Sequence, residues 1–357
     1  MKRILICLDG TWNESGAAAG KSDTNVFRLF QSAEHFRTPN QVSFYSPGVG
    51  TKFLEKIRGG VFGYGLYEQI KEGYLHVAET YQPGDQIIVA GFSRGAFSAR
   101  SLASFLVECG VLKDPGTSFF SASDQRSVDH LWELYRNRHE DPDALRTYCS
   151  KNCHAPTDTL VGAVAVWDTV GALGVPWEMF SGSRLADLAQ ERENKRLGFL
   201  NTRLSPRIAR AYHAVALDEQ RVPFQPTLWD DPRVATGEIQ QVWFAGAHAN
   251  VGGGFSNRGL SDICLDWMIR QLRKHHGLNL RDAPMNPDAV WEEVGKTDMD
   301  HKSAKVDGRL LDTLRSREVP PNSLIHPTAI ARQNGDAHHP PIALTAKINP
   351  PFRIADH

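Results

Sequence analysis

The sequence is poor in long apolar runs, in cysteine and in any excess of charge of one sign, and each shortage excludes a class of protein. No stretch approaches the roughly 18 apolar residues of a membrane span, so any bilayer contact is expected to be peripheral. The opening Met1-Lys2-Arg3-Ile4-Leu5-Ile6-Cys7-Leu8 begins like a secretion signal. Asp9, however, stops its apolar run after five residues, short of the core such signals need. A first buried strand and a cytoplasmic chain are the expectation. The five cysteines, Cys7, Cys109, Cys149, Cys153 and Cys264, are odd in number and scattered. That excludes a dense disulfide framework and fits a reducing compartment. Cys149-x3-Cys153-His154 lacks a second ligand pair in zinc spacing, so neither a metal nor another cofactor is implied. With 40 basic against 41 acidic residues, there is no global electrostatic reason to expect a nucleic-acid partner.

What is present is organised around Gln86-Ile87-Ile88-Val89-Ala90-Gly91-Phe92-Ser93-Arg94-Gly95-Ala96. A turn at Pro83-Gly84-Asp85, a run rich in β-branched residues, Gly-x-Ser-x-Gly and an amphipathic stretch to about Val107 spell strand, sharp turn, helix. In a nucleophile elbow the glycines avoid collisions that a Cβ would cause, and the turn lifts the serine hydroxyl above the sheet edge. Ser93 is therefore the candidate nucleophile. The Arg94 N–H, at a helix N-terminus, is a candidate oxyanion donor.

Other strand ends converge on the same edge. Arg3 to Leu8 runs into Asp9-Gly10-Thr11-Trp12-Asn13, where Gly10 or Thr11 is placed to give the second oxyanion N–H. Asp9 reads either as local turn chemistry or as support for the site. Leu160 to Trp167 is a buried strand ending at Asp168, the candidate acid that orients a base histidine. Gln240 to Phe244 reads as the strand that leads His248 into the loop containing Gly252-Gly253-Gly254, and His248 is the candidate base, with Asn250 nearby in support. The chain order Ser93, Asp168, His248 is the order found in α/β-hydrolases. Ile208 through Glu219 reads as a helix, which makes its His213 a rival base or, on a helix, a structural histidine. Gly16-Ala17-Ala18-Ala19-Gly20-Lys21-Ser22 imitates a phosphate loop. It has three residues between its glycines where a Walker loop needs four, and it does not start at a strand end. A surface loop is expected. Trp177, Met179 and Phe180 read as apolar residues of a cap core or of the substrate side.

At 357 residues and 41% hydrophobic content the chain can bury a substantial core. We expect a single α/β domain over 1–357, an α/β-hydrolase-like, mostly parallel doubly wound sheet. A helical cap insertion is expected at 114–157, and an irregular C-terminal extension packed on the core at 278–357.

Five motifs, Asp9-Gly10-Thr11-Trp12-Asn13, Gly91-Phe92-Ser93-Arg94-Gly95-Ala96, Trp167-Asp168-Thr169-Val170, Tyr212 to Glu219 and His248 to Gly254, occur in this order. Together they resemble the catalytic domain of the type VI secretion phospholipase effectors, the first lipase-effector class. The resemblance covers roughly residues 1 to 275. It implies a serine hydrolase acting on carboxylic esters, with Ser93, Asp168 and His248 as nucleophile, acid and base, and an acyl-ester or lipid substrate. It also admits export by a contractile secretion machine. Asn250 stands where members of the family often have Asp. A short-chain esterase or thioesterase, or a noncatalytic binding protein of the same fold, are the alternatives.

Overall fold

The apolar runs of the sequence form the middle of one parallel sheet. The computed structural model describes residues 1–10, 21–48, 62–113, 122–155, 160–170, 204–221, 224–292, 305–306, 309–310, 315–335, 346–348 and 351–355. Thr11, Trp12, Asn13, residues 16–20, Trp177, Met179 and Phe180, all singled out above, lie outside them.

In chain order the first half contains β1 (Arg3–Leu8), β2 (Lys21–Thr24), α1 (Asn25–His35), β3 (Gln41–Ser46), α2 (Phe62–Thr80), β4 (Gln86–Phe92) and α3 (Arg94–Cys109). There follow β5 (Val111–Leu112), α4 (Ala122–Arg136), α5 (Pro142–Asn152), β6 (Cys153–His154), β7 (Leu160–Trp167) and β8 (Arg210–Ala216). Next come α6 (Arg233–Thr236), β9 (Ile239–Phe244), α7 (His248–Gly252), β10 (Gly253–Phe255) and α8 (Gly259–His276). The C-terminal part adds β11 (Lys305–Val306), β12 (Arg309–Leu310), β13 (Glu318–Val319), β14 (Leu324–Ile325), α9 (Pro327–Asn334), β15 (Lys347–Ile348) and β16 (Arg353–Ile354).

Among the described residues eight strands form the main sheet in the order β16-β14-β9-β8-β7-β4-β1-β3, every neighbouring pair parallel. Strands buried on both faces need no polar alternation, which is why they read as continuous apolar runs. Leu5, Cys7, Ile88, Ala90, Ala163 and Ala165 pack beneath α1 and α8. Ile4, Ile6, Leu8, Ile87, Val89 and Val164 pack on the opposite face beneath α2 and α3. Val128, Leu131, Trp132 and Tyr135 of α4 and Leu145 and Cys149 of α5 join that second layer. The chain leaves β1 through α1 on one face to reach β3, then returns past β1 through α2 on the other face to β4. Such a reversal opens a crevice at the carboxyl ends of β1 and β4, where doubly wound sheets bind ligands.

The stretch read as a helix over 208–219 is a strand. Arg210–Ala216 forms β8, hydrogen-bonded between β7 and β9. Its alanines favour helix, but Ala211 is needed in one layer and Tyr212, Ala214 and Ala216 in the other, and this two-sided burial overrides a weak local preference. The C-terminal segment adds two strands to the main sheet: β14 pairs with β9, and β16 with β14. Among the described residues no helix is long and apolar enough to cross a membrane, and no group of three or more His, Cys, Asp or Glu is arranged to hold a metal ion.

Candidate active site

The elbow between β4 and α3 is built by steric necessity. Ser93 adopts φ 59° and ψ −123°, a conformation that costs energy for a residue with a Cβ and persists only where its surroundings enforce it. A Cβ on Gly91 would lie 2.3 Å from the Gly95 carbonyl oxygen, and one on Gly95 would lie 2.2 Å from that of Leu8. Only glycine fits at either position, so α3 can begin directly against the end of β1. The first amides of α3 have no partner within the helix and carry its positive dipole end. Arg94 is the first residue of that helix.

His248 stands across from the elbow as the first residue of α7. Its Nε2 accepts from Ser93 Oγ at 2.9 Å, and its Nδ1 donates to Asp168 Oδ2 at 2.6 Å. A carboxylate only accepts, so this contact sets the tautomer and leaves Nε2 free to take a proton from the serine. The rings of Phe92 and Phe224 lie 4.5 and 4.8 Å from the imidazole, centroid to centroid. Phe92 comes this close because residue 252 is glycine; a Cβ there would sit 2.0 Å from its ring.

The amides leading into α7 are each held by a side chain. Gly246 N–H donates to Asp218 Oδ2 at 2.7 Å, Ala247 N–H to Asn250 Oδ1 at 3.1 Å, and His248 N–H to Glu219 Oε2 at 3.2 Å. Negative charge from Asp218 and Glu219 at a helix N-terminus is favourable. Burial works against the Glu219 charge, but the bonds and charge of Arg221 prevail and hold its carboxyl below the usual range.

Asp168 is fully buried. Its Oδ1 accepts from Ala216 N–H at 3.0 Å and from Arg317 Nη1 at 2.7 Å, and its Oδ2 accepts from Arg317 Nη2 at 3.0 Å. Burial opposes the charge, yet the Arg317 guanidinium and the His248 hydrogen bond outweigh it and hold the carboxyl well below the usual carboxylate range. The strand ends are also locked to one another: Ser93 N–H donates to Trp167 O at 3.1 Å and Asp168 N–H to Ala214 O at 2.7 Å.

Comparison with known proteins shows the family to which the chain belongs. The family model described as T6SS, phospholipase effector Tle1-like, catalytic domain matches residues 2–271. The chain belongs to that family. It is also similar to the uncharacterized protein YEL023C of Saccharomyces cerevisiae, 27% identical over a 248-residue alignment that covers 63% of this chain and 32% of the yeast protein. Among solved structures, an uncharacterized protein from Pseudomonas aeruginosa aligns with TM-score 0.43 and 15% identity over 81% of this chain and 48% of that one. The Tle1 effector bound to the VgrG spike of the type VI secretion system aligns with TM-score 0.38 and 16% identity over 71% of this chain and 51% of that one. The chain thus spans about a third of the yeast protein and about half of each solved chain.

In this member of the Tle1-like family the remaining candidates fall into distinct places. His213 lies on β8, not on a helix, and is fully buried. Its Nε2 accepts from Thr169 N–H at 3.0 Å, so Nδ1 carries the hydrogen, which faces Gln241 Oε1 at 3.4 Å. Burial, with the Arg100 cation adding to it, pushes the imidazole down to about 3. A neutral histidine bonded in this way steadies the backbone beside Asp168; it contacts neither Ser93 nor His248. His248 itself opens a short helix, where a loop was expected.

The Gly10 N–H, suggested by the sequence as an oxyanion donor, donates to Asp9 Oδ1 at 2.7 Å. Asp9 is a buried organiser: its Oδ2 accepts from Thr24 Oγ1 at 2.5 Å and Tyr45 OH at 2.9 Å, and its carbonyl accepts from Gln69 Nε2 at 2.9 Å. Asn250 shapes α7 through its bond to Ala247. Asp218, Glu219 and Arg317 were missed in the sequence. The first two carried a signal, an acidic pair closing a buried run at a sheet edge, which the helical reading concealed; Arg317 carried none.

Proposed function

We propose that the chain is a serine hydrolase of carboxylic esters, with phospholipid acyl esters as its substrate class, and that Ser93, His248 and Asp168 are its nucleophile, base and orienting acid. One observation carries the reading. The unbroken chain from Ser93 Oγ to His248 Nε2 at 2.9 Å and from His248 Nδ1 to Asp168 at 2.6 Å is the arrangement acyl transfer requires. Membership in the phospholipase effector family supports the substrate class.

In the proposed reaction His248 takes the Ser93 proton as the serine oxygen attacks the ester carbonyl. The new oxyanion faces the amide of Arg94 and the positive end of α3. Thr11, the other donor suggested by the sequence, is the proposed second contributor, since Gly10 is held by Asp9. Collapse of the tetrahedral intermediate breaks the ester C–O bond, and imidazolium 248 returns its proton to the departing alcohol. Water, deprotonated by the same histidine, then attacks the acyl-serine and releases the carboxylic acid. Asp168 stays ionised throughout and stabilises the imidazolium.

The test is a panel running from acetyl esters and thioesters to long-chain phospholipid vesicles, with Ser93→Ala as control. Hydrolysis of p-nitrophenyl esters should fall by roughly 10³-fold or more in Ser93→Ala, which stays folded. Undiminished turnover by that variant sinks the serine mechanism. Serine-dependent cleavage confined to acetyl esters or thioesters sinks the phospholipid assignment alone.

A further inference from the structure

Arg317 has no place in the steps just described, yet its guanidinium is buried and makes four hydrogen bonds at the site. It lies beyond residues 2–271, the part matched by the family model, and is 1% exposed. Its Nη1 donates to Asp168 Oδ1 and to Ala216 O, both at 2.7 Å; its Nη2 donates to Asp168 Oδ2 at 3.0 Å and also to Phe224 O. One planar fork therefore joins the carboxylate, the end of β8 and the residue whose ring walls the imidazole. Bidentate pairing of this kind fixes the plane of a carboxylate as well as its charge, which a lysine ammonium cannot do.

The consequence follows from the sharing of Asp168 Oδ2. That oxygen accepts from both His248 Nδ1 and Arg317 Nη2, so the carboxylate that faces the imidazole is itself paired with a permanent cation behind it. We infer that Arg317 is a positioning residue for the proposed triad: it fixes the Asp168 carboxylate in the plane that orients His248 and, as the cation paired with it, keeps that carboxylate ionised. This inference rests on the proposed hydrolase reading.

The other groups around the pair do not substitute for it. Ser93 faces His248 from the elbow, and Glu219, after β8, accepts the His248 N–H while paired with Arg221. His213 of β8 is neutral and bonded to Thr169. The Cys264 thiol of α8, raised by burial and by the Asp168 charge, is uncharged. Among the described residues Arg317 is the cation in direct contact with the carboxylate.

The experiment measures kcat and KM for a p-nitrophenyl ester across pH with the full chain, for wild type, Arg317→Ala and Arg317→Lys, with and without tens of millimolar guanidinium or, as the neutral control, urea. In Arg317→Ala kcat should fall roughly 10- to 100-fold, while KM changes little. The acid limb of kcat/KM should move to higher pH, because the carboxylate has lost the cation that keeps it ionised. Guanidinium should restore part of the rate and urea none. Arg317→Lys keeps the charge but loses the fork, so its acid limb should stay near that of wild type while kcat falls. A folded Arg317→Ala with an unmoved acid limb and no response to guanidinium overturns the inference. Should Arg317→Ala fail to fold, a folded Arg317→Lys with wild-type kcat overturns it equally. Turnover that survives Ser93→Ala removes the hydrolase reading instead; serine-dependent turnover indifferent to Arg317 removes only this inference.

Discussion

Replacing Asp168 by Asn keeps the shape of the side chain and deletes its charge, and two separable losses should follow. The carboxylate is fully buried and accepts from His248, Ala216 and both terminal nitrogens of Arg317. Without it the Arg317 guanidinium is a buried cation without a counter-charge. Two unit charges about 4 Å apart at an effective dielectric near 20 interact by about 4 kcal/mol, and breaking a buried pair by removing one partner costs about 3–5 kcal/mol. Asp168→Asn should therefore lower the unfolding free energy by that amount, read from urea denaturation followed by tryptophan fluorescence. The second loss is catalytic. An Asn amide facing His248 Nδ1 turns that nitrogen into an acceptor, which places the hydrogen on Nε2 where it cannot receive the Ser93 proton, and kcat should drop by roughly 10⁴-fold. Adding Arg317→Met to Asp168→Asn removes the stranded charge, so most of the stability should return while activity does not. If the two substitutions destabilise independently, with no coupling between them in the double-mutant cycle, the ion pair does not hold this site together and the reasoning fails.

Two other perturbations test the frame around the site. His213 titrates at about 3 in the folded chain against 6.5 unperturbed, so between those values the unfolded chain binds a proton that the folded one refuses. Stability should be level above pH 6.5 and fall as the pH drops, by about 2 kcal/mol from this residue at pH 5. His213→Gln, which can still accept from Thr169 N–H, should flatten that limb of the urea midpoint against pH; an unchanged slope would contradict the assignment. Gly95→Ala places a methyl group 2.2 Å from the Leu8 carbonyl oxygen, so the elbow must open. We expect a loss of about 1–3 kcal/mol together with loss of labelling by a fluorophosphonate probe, and wild-type labelling would show that the contact can be relieved cheaply.

How much of this was legible in the sequence depended on whether a residue carried a local mark. The apolar runs at Ile4 to Leu8, Ile87 to Ala90 and Leu160 to Trp167, the glycines flanking Ser93, and the order of the serine, the aspartate and the histidine all follow from local rules. Burial on both faces leaves a strand without polar alternation, and a tight strand-to-helix turn excludes a Cβ. Those rules determined the parallel sheet and brought the three candidate residues to its carboxyl edge. They misread Arg210–Ala216 because alanine's helical preference is weak and only the packing of β7 and β9 on either side makes that segment a strand. Packing likewise decided that the Gly10 amide serves Asp9, that Asp218 and Glu219 hold the start of the helix bearing His248, and that Arg317 grips a carboxylate 149 positions away in the chain. Ser93 and His248 are farther apart still, 155 positions, but each is marked by a glycine motif at a strand end, and no such local mark accompanies Arg317. Its contact with Asp168 exists only once the C-terminal segment has folded back against the sheet, where a buried cation and a buried anion must find each other or remain unsatisfied.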